Sequence, residues 1–130
     1  MPTCQLQDAN SANHQTEIKG NAGCWIVEEG KLLLVKQRNG LFSYPGGTAQ
    51  SGESAQCTAH RETWEEAGIA VSVGTLKHRF ENGFYLFHCH LQQMTRNTND
   101  TIEIVAVLWT DPLAIPEEQW RFPAQSALSA

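Results

Sequence analysis

Four carboxylates and one arginine crowd into residues 47–69, GTAQSGESAQCTAHRETWEEAGI: Glu53, Arg61, Glu62, Glu65 and Glu66. Ser54 is a capping residue ahead of Ala55 and Gln56, and Gly68 stands where a left-handed C-terminal stop belongs. These signals predict a helix of roughly three turns. On it Glu62, Glu65 and Glu66 share one arc about 100° wide, because positions i, i+3 and i+4 are neighbours. Like charges so placed repel by a few tenths of a kcal/mol per pair, and a bound hard cation reverses the sign. Carboxylates with room for water suit Mg²⁺ or Mn²⁺, whereas Zn²⁺ prefers His and Cys. The competing reading is a solvated charged stripe. Arg61, four residues before Glu65, is placed to hold a carboxylate by a bidentate contact.

The same stretch resembles, position by position, the signature of the Nudix hydrolases. The matching residues are Gly47, Glu53, Arg61, Glu62, Thr63, Trp64, Glu65, Glu66, Ala67, Gly68 and Ile69, and the preceding LFSYPGG is similar to the family's usual entry. Gln50 departs from it, since many relatives carry a glutamate there. The resemblance implies an α-β-α sandwich with a mixed sheet, over roughly residues 20–122, with the box as a loop–helix–loop on one side. It implies that Glu62, Glu65 and Glu66 hold Mg²⁺, or Mn²⁺ in its place, with Glu53 near them and the Gly47 carbonyl as a further ligand. Arg61 then supports catalysis, and the general base is a box glutamate such as Glu62 or Glu65, or a carboxylate from a later loop. Glu103 is the outside candidate for ligand or base, because it opens the last strand six residues before Trp109; the plain alternative is a strand-edge glutamate facing water.

Substrate contacts are drawn from the entry to the box. Gly46 and Gly47 let the backbone come close to a phosphate or a metal. Phe42 and Tyr44 precede them, either to stack on a base or to plug the loop into the core. Lys36 and Arg38 leave a strand beside the same loop, to meet phosphate oxygens or simply to face water. Trp64 lies about 150° from the centre of the glutamate face and suits core packing or a partner surface better than catalysis. His88 and His90 share one face of a strand with Cys89 on the other, and no second ligand pair has zinc spacing.

These residues need a scaffold, and 130 residues give one domain with room for a real core. Residues 1–17 are polar and aperiodic and read as a mobile arm; residues 18–130 read as the single domain. NAGCWIV and KLLLVKQ read as a hairpin or two adjacent strands, with Leu32–Val35 apolar enough to be covered on both faces. After the box helix, residues 69–80 form a long strand interrupted at Gly74, and Asn82-Gly83 turns it into FYLFHCHLQQM. A polar loop, TRNTNDT, leads to a last strand in IEIVAVLWT, and Pro116 opens a short helix near PEEQW. Strands flanking a helix, with hairpins inside the sheet, point to an α/β (α+β) fold with a mixed sheet.

A net charge of −5 does not attract nucleic acid or an anionic membrane. Cys4, Cys24, Cys57 and Cys89 lack scaffold spacing and read as reduced thiols in a cytoplasmic protein. No basic n-region or long apolar run marks a signal peptide or a membrane span. The leading expectation is an enzyme, monomeric or homodimeric, that hydrolyses a nucleoside diphosphate linked to another moiety X. A nucleoside triphosphate or related nucleotide leads, with nucleotide sugars and RNA 5′ ends as alternatives. A nucleotide-binding domain with a decayed site belongs to another class, and the complete set of box glutamates argues against it. A Ca²⁺ loop would need alternating Asp and Asn ligands that the sequence lacks.

Overall fold

The computed structural model describes residues 3–7, 18–94 and 104–126. Eleven elements matter for the site: β1 (Gln5–Leu6), β2 (Ala22–Trp25), β3 (Val27–Glu28), β4 (Lys31–Gln37), β5 (Phe42–Ser43), β6 (Gly46–Gly47), α1 (Ala55–Ala67), β7 (Ile69–Arg79), β8 (Tyr85–Met94), β9 (Ile104–Thr110) and α2 (Pro123–Ser126). Short 3₁₀ turns at Pro112–Ala114 and Glu117–Gln119 join β9 to α2. One mixed sheet has the order β1-β7-β8-β2-β6; the second is built on β4, which pairs with β3, β5 and β9.

The helix starts and stops where local chemistry dictates. The Ser54 hydroxyl accepts a hydrogen bond from the Cys57 N–H at 3.1 Å, and Gly68 adopts φ 69° while its N–H reaches the Trp64 carbonyl. Ala55, Ala59 and Ala67 turn inward against Ala22, Val71 and Phe87, so α1 lies close on the mixed sheet. Ile69 begins β7 directly after the stop, and Asn82-Gly83 closes the β7–β8 hairpin. Its register shifts between Val73 and Leu76, around Gly74, where a Cβ would press on the His88 carbonyl oxygen at 3.0 Å.

β4 is covered on both faces. Leu33 and Val35 join the core under α1, while Leu32 and Leu34 join a second core with Tyr44, Phe80, Leu86 and Trp120. The hairpin expected from NAGCWIV and KLLLVKQ is only partly formed. Val27–Glu28 turns back onto β4, but Ala22–Trp25 pairs with β8 and β6 in the other sheet. A run with few turn residues crosses between sheets here, which periodicity alone does not reveal. The short helix expected near PEEQW is a 3₁₀ turn at Glu117–Gln119, with Pro116 just ahead of it.

Two expectations are corrected. Residues 3–7 do not behave as an arm: Gln5–Leu6 pairs in parallel with Ser72–Val73, and the Gln7 N–H donates to the Val73 carbonyl at 2.7 Å. The four cysteines are not free thiols. Cys4 bonds Cys57 and Cys24 bonds Cys89, each pair with Cα atoms 5.5 Å apart. Partners 53 and 65 residues apart meet only because β1 lies beside α1 and β2 beside β8. The thiol argument for a cytoplasmic setting therefore falls away. Among the described residues, no helix is long and apolar enough to cross a membrane.

Candidate active site

Arg61 is the hub of the box. It is buried, and its guanidinium forks onto Glu53, with Nε donating to Oε2 at 2.8 Å and Nη2 to Oε1 at 3.0 Å. Nη2 also reaches the Thr48 carbonyl at 2.8 Å, and Nη1 donates to Glu65 Oε1 at 2.6 Å. The bidentate contact thus falls on Glu53, eight residues back, and Glu65 receives a single bond. Tying the loop ahead of α1 to the middle of the helix fixes both relative to Gly46 and Gly47.

Glu53 is satisfied on every side. Besides Arg61, it accepts from the Gln50 N–H at 3.0 Å and the Thr58 hydroxyl at 2.8 Å. Burial opposes its ionisation, but the Arg61, Gln50 and Thr58 hydrogen bonds win and hold its carboxyl down to about 2, from 4.5. A folded value below the unfolded one gives stability that is present above about pH 4.5 and lost as pH falls toward 2. Glu53→Gln is expected to lower the thermal midpoint at pH 7 and to flatten its fall between pH 4.5 and 2, read by calorimetry across that range.

Glu62 lies under the glycine pair. A Cβ built on Gly47 would overlap its carboxylate, so only glycine admits that approach. Burial raises its pKa, opposed by Arg61, whose Nη1 stands 3.5 Å away. Glu66 is buried and accepts from the Gly46 N–H at 2.8 Å. Gly47→Ala is expected to displace Glu62 and cut kcat about 10²-fold, since misplacement near 1 Å has that effect. Steady-state kinetics on a variant with unchanged circular dichroism checks it.

Glu62 thus lies against Gly47 and Glu66 against Gly46, while Glu65 and Glu53 are tied to Arg61. As they stand, no three acidic, His or Cys side chains among the described residues converge on a point fit for one cation, because Arg61 draws in Glu53 and Glu65. The donor chemistry nevertheless fits Mg²⁺ or Mn²⁺: every side-chain donor is a carboxylate oxygen. Glu62 is a half-buried carboxylate with raised pKa, which a cation would relieve, and Glu65 is 38 % exposed and has one side-chain partner to release. Glu103 lies outside the described residues.

A recess of about 200 Å³ opens over the glycines, lined by Asn21, Gly46, Gly47, Thr48 and Arg121 among others. Through Asn82, Phe84, Phe122 and Gln125 it continues into a wider cleft of about 710 Å³, walled by His78, Phe80 and Pro123. The two wall segments, the β7–β8 turn and the C-terminal segment, carry no motif that points to a ligand, so their part in the cleft was not read from the sequence. The aromatic pair Phe84 and Phe122 was the only signal available. Tyr44 borders the recess but packs chiefly into the core. It is 2 % exposed, wedged between Trp25 and Trp120 at ring centroids 5.6 and 5.5 Å, and its hydroxyl donates to the Gln125 carbonyl at 3.1 Å. Phe42 is half-buried against the same core, with Lys36 Nζ 5.8 Å above its ring. Neither Lys36 nor Arg38 lines the recess. His88 and His90 sit on one face of β8, and Cys89 turns inward to its disulfide. Trp64 is half-buried on α1.

The NUDIX domain model matches residues 18–128. The chain belongs to the Nudix family. A MutT-like protein of Streptomyces ambofaciens is 31% identical over 120 residues, covering 87% of this Nudix chain and 75% of its relative. The CTP pyrophosphohydrolase of Escherichia coli K12 is 29% identical over 78% of this chain and 79% of its own. Among solved structures, an ADP-ribose pyrophosphatase from Streptococcus suis superposes with a TM-score of 0.68 at 26% identity, covering 84% of this chain and 87% of that one. A NUDIX hydrolase from Nitrosomonas europaea shares the fold with a TM-score of 0.73 at 21% identity, over 84% and 85% of the two chains. This Nudix protein is a hydrolase of pyrophosphate bonds, on a mixed α/β fold.

Proposed function

We propose that the protein is a divalent-metal-dependent pyrophosphohydrolase whose substrate is a nucleoside diphosphate linked to a moiety X, a nucleoside triphosphate or related nucleotide first among them. The observation that carries this reading is the pair Glu62 and Glu66 held against Gly47 and Gly46, two glycines that line a recess widening into an aromatic cleft. Glu62, Glu65 and Glu66 would hold Mg²⁺ or Mn²⁺, which when bound neutralises phosphate charge and lowers the pKa of a coordinated water. Arg61 keeps Glu65 and the Thr48 loop in place. Gly46 and Gly47 let a phosphate approach the backbone without side-chain interference. The cleft, with Phe84 and Phe122 in its wall, is of the size that buries a base.

A carboxylate near the glycines takes the proton of the attacking water. Glu62, which lies against Gly47, is the first candidate among the described glutamates. Glu103 remains the proposed outside ligand or base. Products would be a nucleoside monophosphate and phosphorylated X, or pyrophosphate from a triphosphate. The named activities of the relatives, on CTP and ADP-ribose, support this class and leave nucleotide sugars and RNA 5′ ends as alternatives. Hydrolysis assayed over nucleoside triphosphates, nucleotide sugars, dinucleoside polyphosphates and triphosphorylated RNA tests it. Turnover of one nucleotide class with release of a nucleoside monophosphate is expected; inertness toward all of them contradicts it.

A further inference from the structure

The recess beside Gly46 and Gly47 poses an electrostatic problem. Gly47 in its lining abuts the Glu62 carboxylate, and the whole chain carries a net charge of −5, so an anionic phosphate chain enters against a negative field. Among the described residues that line it, one alone is charged: Arg121. This arginine is held from behind by the fold. Its N–H donates to the Phe42 carbonyl at 2.8 Å, and Trp120 before it bridges to Phe42 and is buried to 2 % exposure. Gln125, also buried, accepts from the Tyr44 N–H at 3.3 Å, so the segment is pinned again on the far side. Its backbone is thus fixed to the strand that leads into the glycines.

The guanidinium itself is exposed and stands 5.0 Å from the centre of the Phe122 ring. No described carboxylate lies within 4 Å of it. Stacking leaves the N–H edges of a guanidinium free to donate, and such a planar fork matches phosphate oxygens.

We propose that Arg121 is a substrate-contact residue that receives the phosphate chain in this recess and lowers KM for the anionic part of the substrate. The proposal rests on the pyrophosphohydrolase reading above for the identity of that anion. It also assigns work to Trp120 and Gln125, which position Arg121 from the core.

Inorganic pyrophosphate with Mg²⁺ is the probe, titrated by calorimetry into the wild type, Arg121→Gln and Arg121→Lys. Because Arg121 is exposed, both variants are expected to keep the wild-type thermal midpoint. Arg121→Gln is expected to weaken pyrophosphate about tenfold, the usual size for a lost charge-assisted hydrogen bond, and Arg121→Lys by clearly less. With a nucleotide that the wild type hydrolyses, KM rises by a similar factor in Arg121→Gln and kcat falls by less. The salt dependence of kcat/KM also becomes shallower, which a merely structural role would not produce. Equal pyrophosphate affinity in wild type and Arg121→Gln overturns the proposal, as does a wild type that does not bind the probe. A wild type that binds pyrophosphate through Arg121 yet hydrolyses no nucleotide refutes the functional reading alone.

Discussion

Glu62→Gln is expected to lower kcat by about 10³-fold in a protein that keeps its circular dichroism and thermal midpoint, because several kcal/mol of transition-state charge stabilisation depend on the ligand charge. Glutamine preserves shape but removes the hard anionic oxygen. The fold tolerates the change, since Glu62 lies against Gly47 and burial penalises its ionised form. Glu65→Gln and Glu66→Gln are expected to cost orders of magnitude as well. For Glu66 the remaining amide oxygen still accepts from the Gly46 N–H, so loss of turnover there would report charge and not collapse. The contrast with Glu53→Gln is informative. Glu53 spends both oxygens on Arg61, Gln50 and Thr58, so its replacement shows first in stability and acid sensitivity. Unchanged kcat in folded Glu62→Gln or Glu65→Gln would remove the carboxylate cluster from the mechanism.

Removal of divalent cations is the second large effect. Protein dialysed against EDTA is expected to lose hydrolysis by about 10³-fold or more, and Mg²⁺ or Mn²⁺ to restore it. The donors are carboxylate oxygens, so soft ligands do not compete for the choice of ion. Binding is also expected to stabilise the fold, since a cation relieves the repulsion among Glu62, Glu65 and Glu66 and the desolvation of Glu62. Full turnover in EDTA would refute the metal-dependent mechanism.

What could be read from the chain is what depends on near neighbours. The Ser54 cap, the Gly68 stop, the Arg61–Glu65 contact and the Asn82-Gly83 turn all span eight residues or fewer. The double-sided burial of Leu32–Val35 was legible too, because no polar residue interrupts that run. What could not be read is set by distant partners. The sequence leaves Tyr44 open between stacking and core, and only Gln125, 81 residues away, shows what holds its backbone and its hydroxyl. The same distance hides Arg121, whose place beside Gly46 follows from Trp120 docking on Phe42. The disulfides failed for the same reason, since Cys4 and Cys24 find Cys57 and Cys89 only once β1 and β2 are seated. In the site, the carboxylate face was legible and its wiring was not: the bidentate partner of Arg61 is Glu53, at a spacing that no helical rule pairs.

The central claim is that the α1 carboxylates hold the catalytic cation. Mn²⁺ binding to metal-stripped protein, followed by electron paramagnetic resonance without substrate, tests it most directly. Wild type is expected to bind Mn²⁺, and the double variant Glu62→Gln/Glu66→Gln to bind it at least about tenfold more weakly, as loss of charged oxygen ligands requires. Equal affinity in the two folded proteins would place the cation elsewhere and contradict the account.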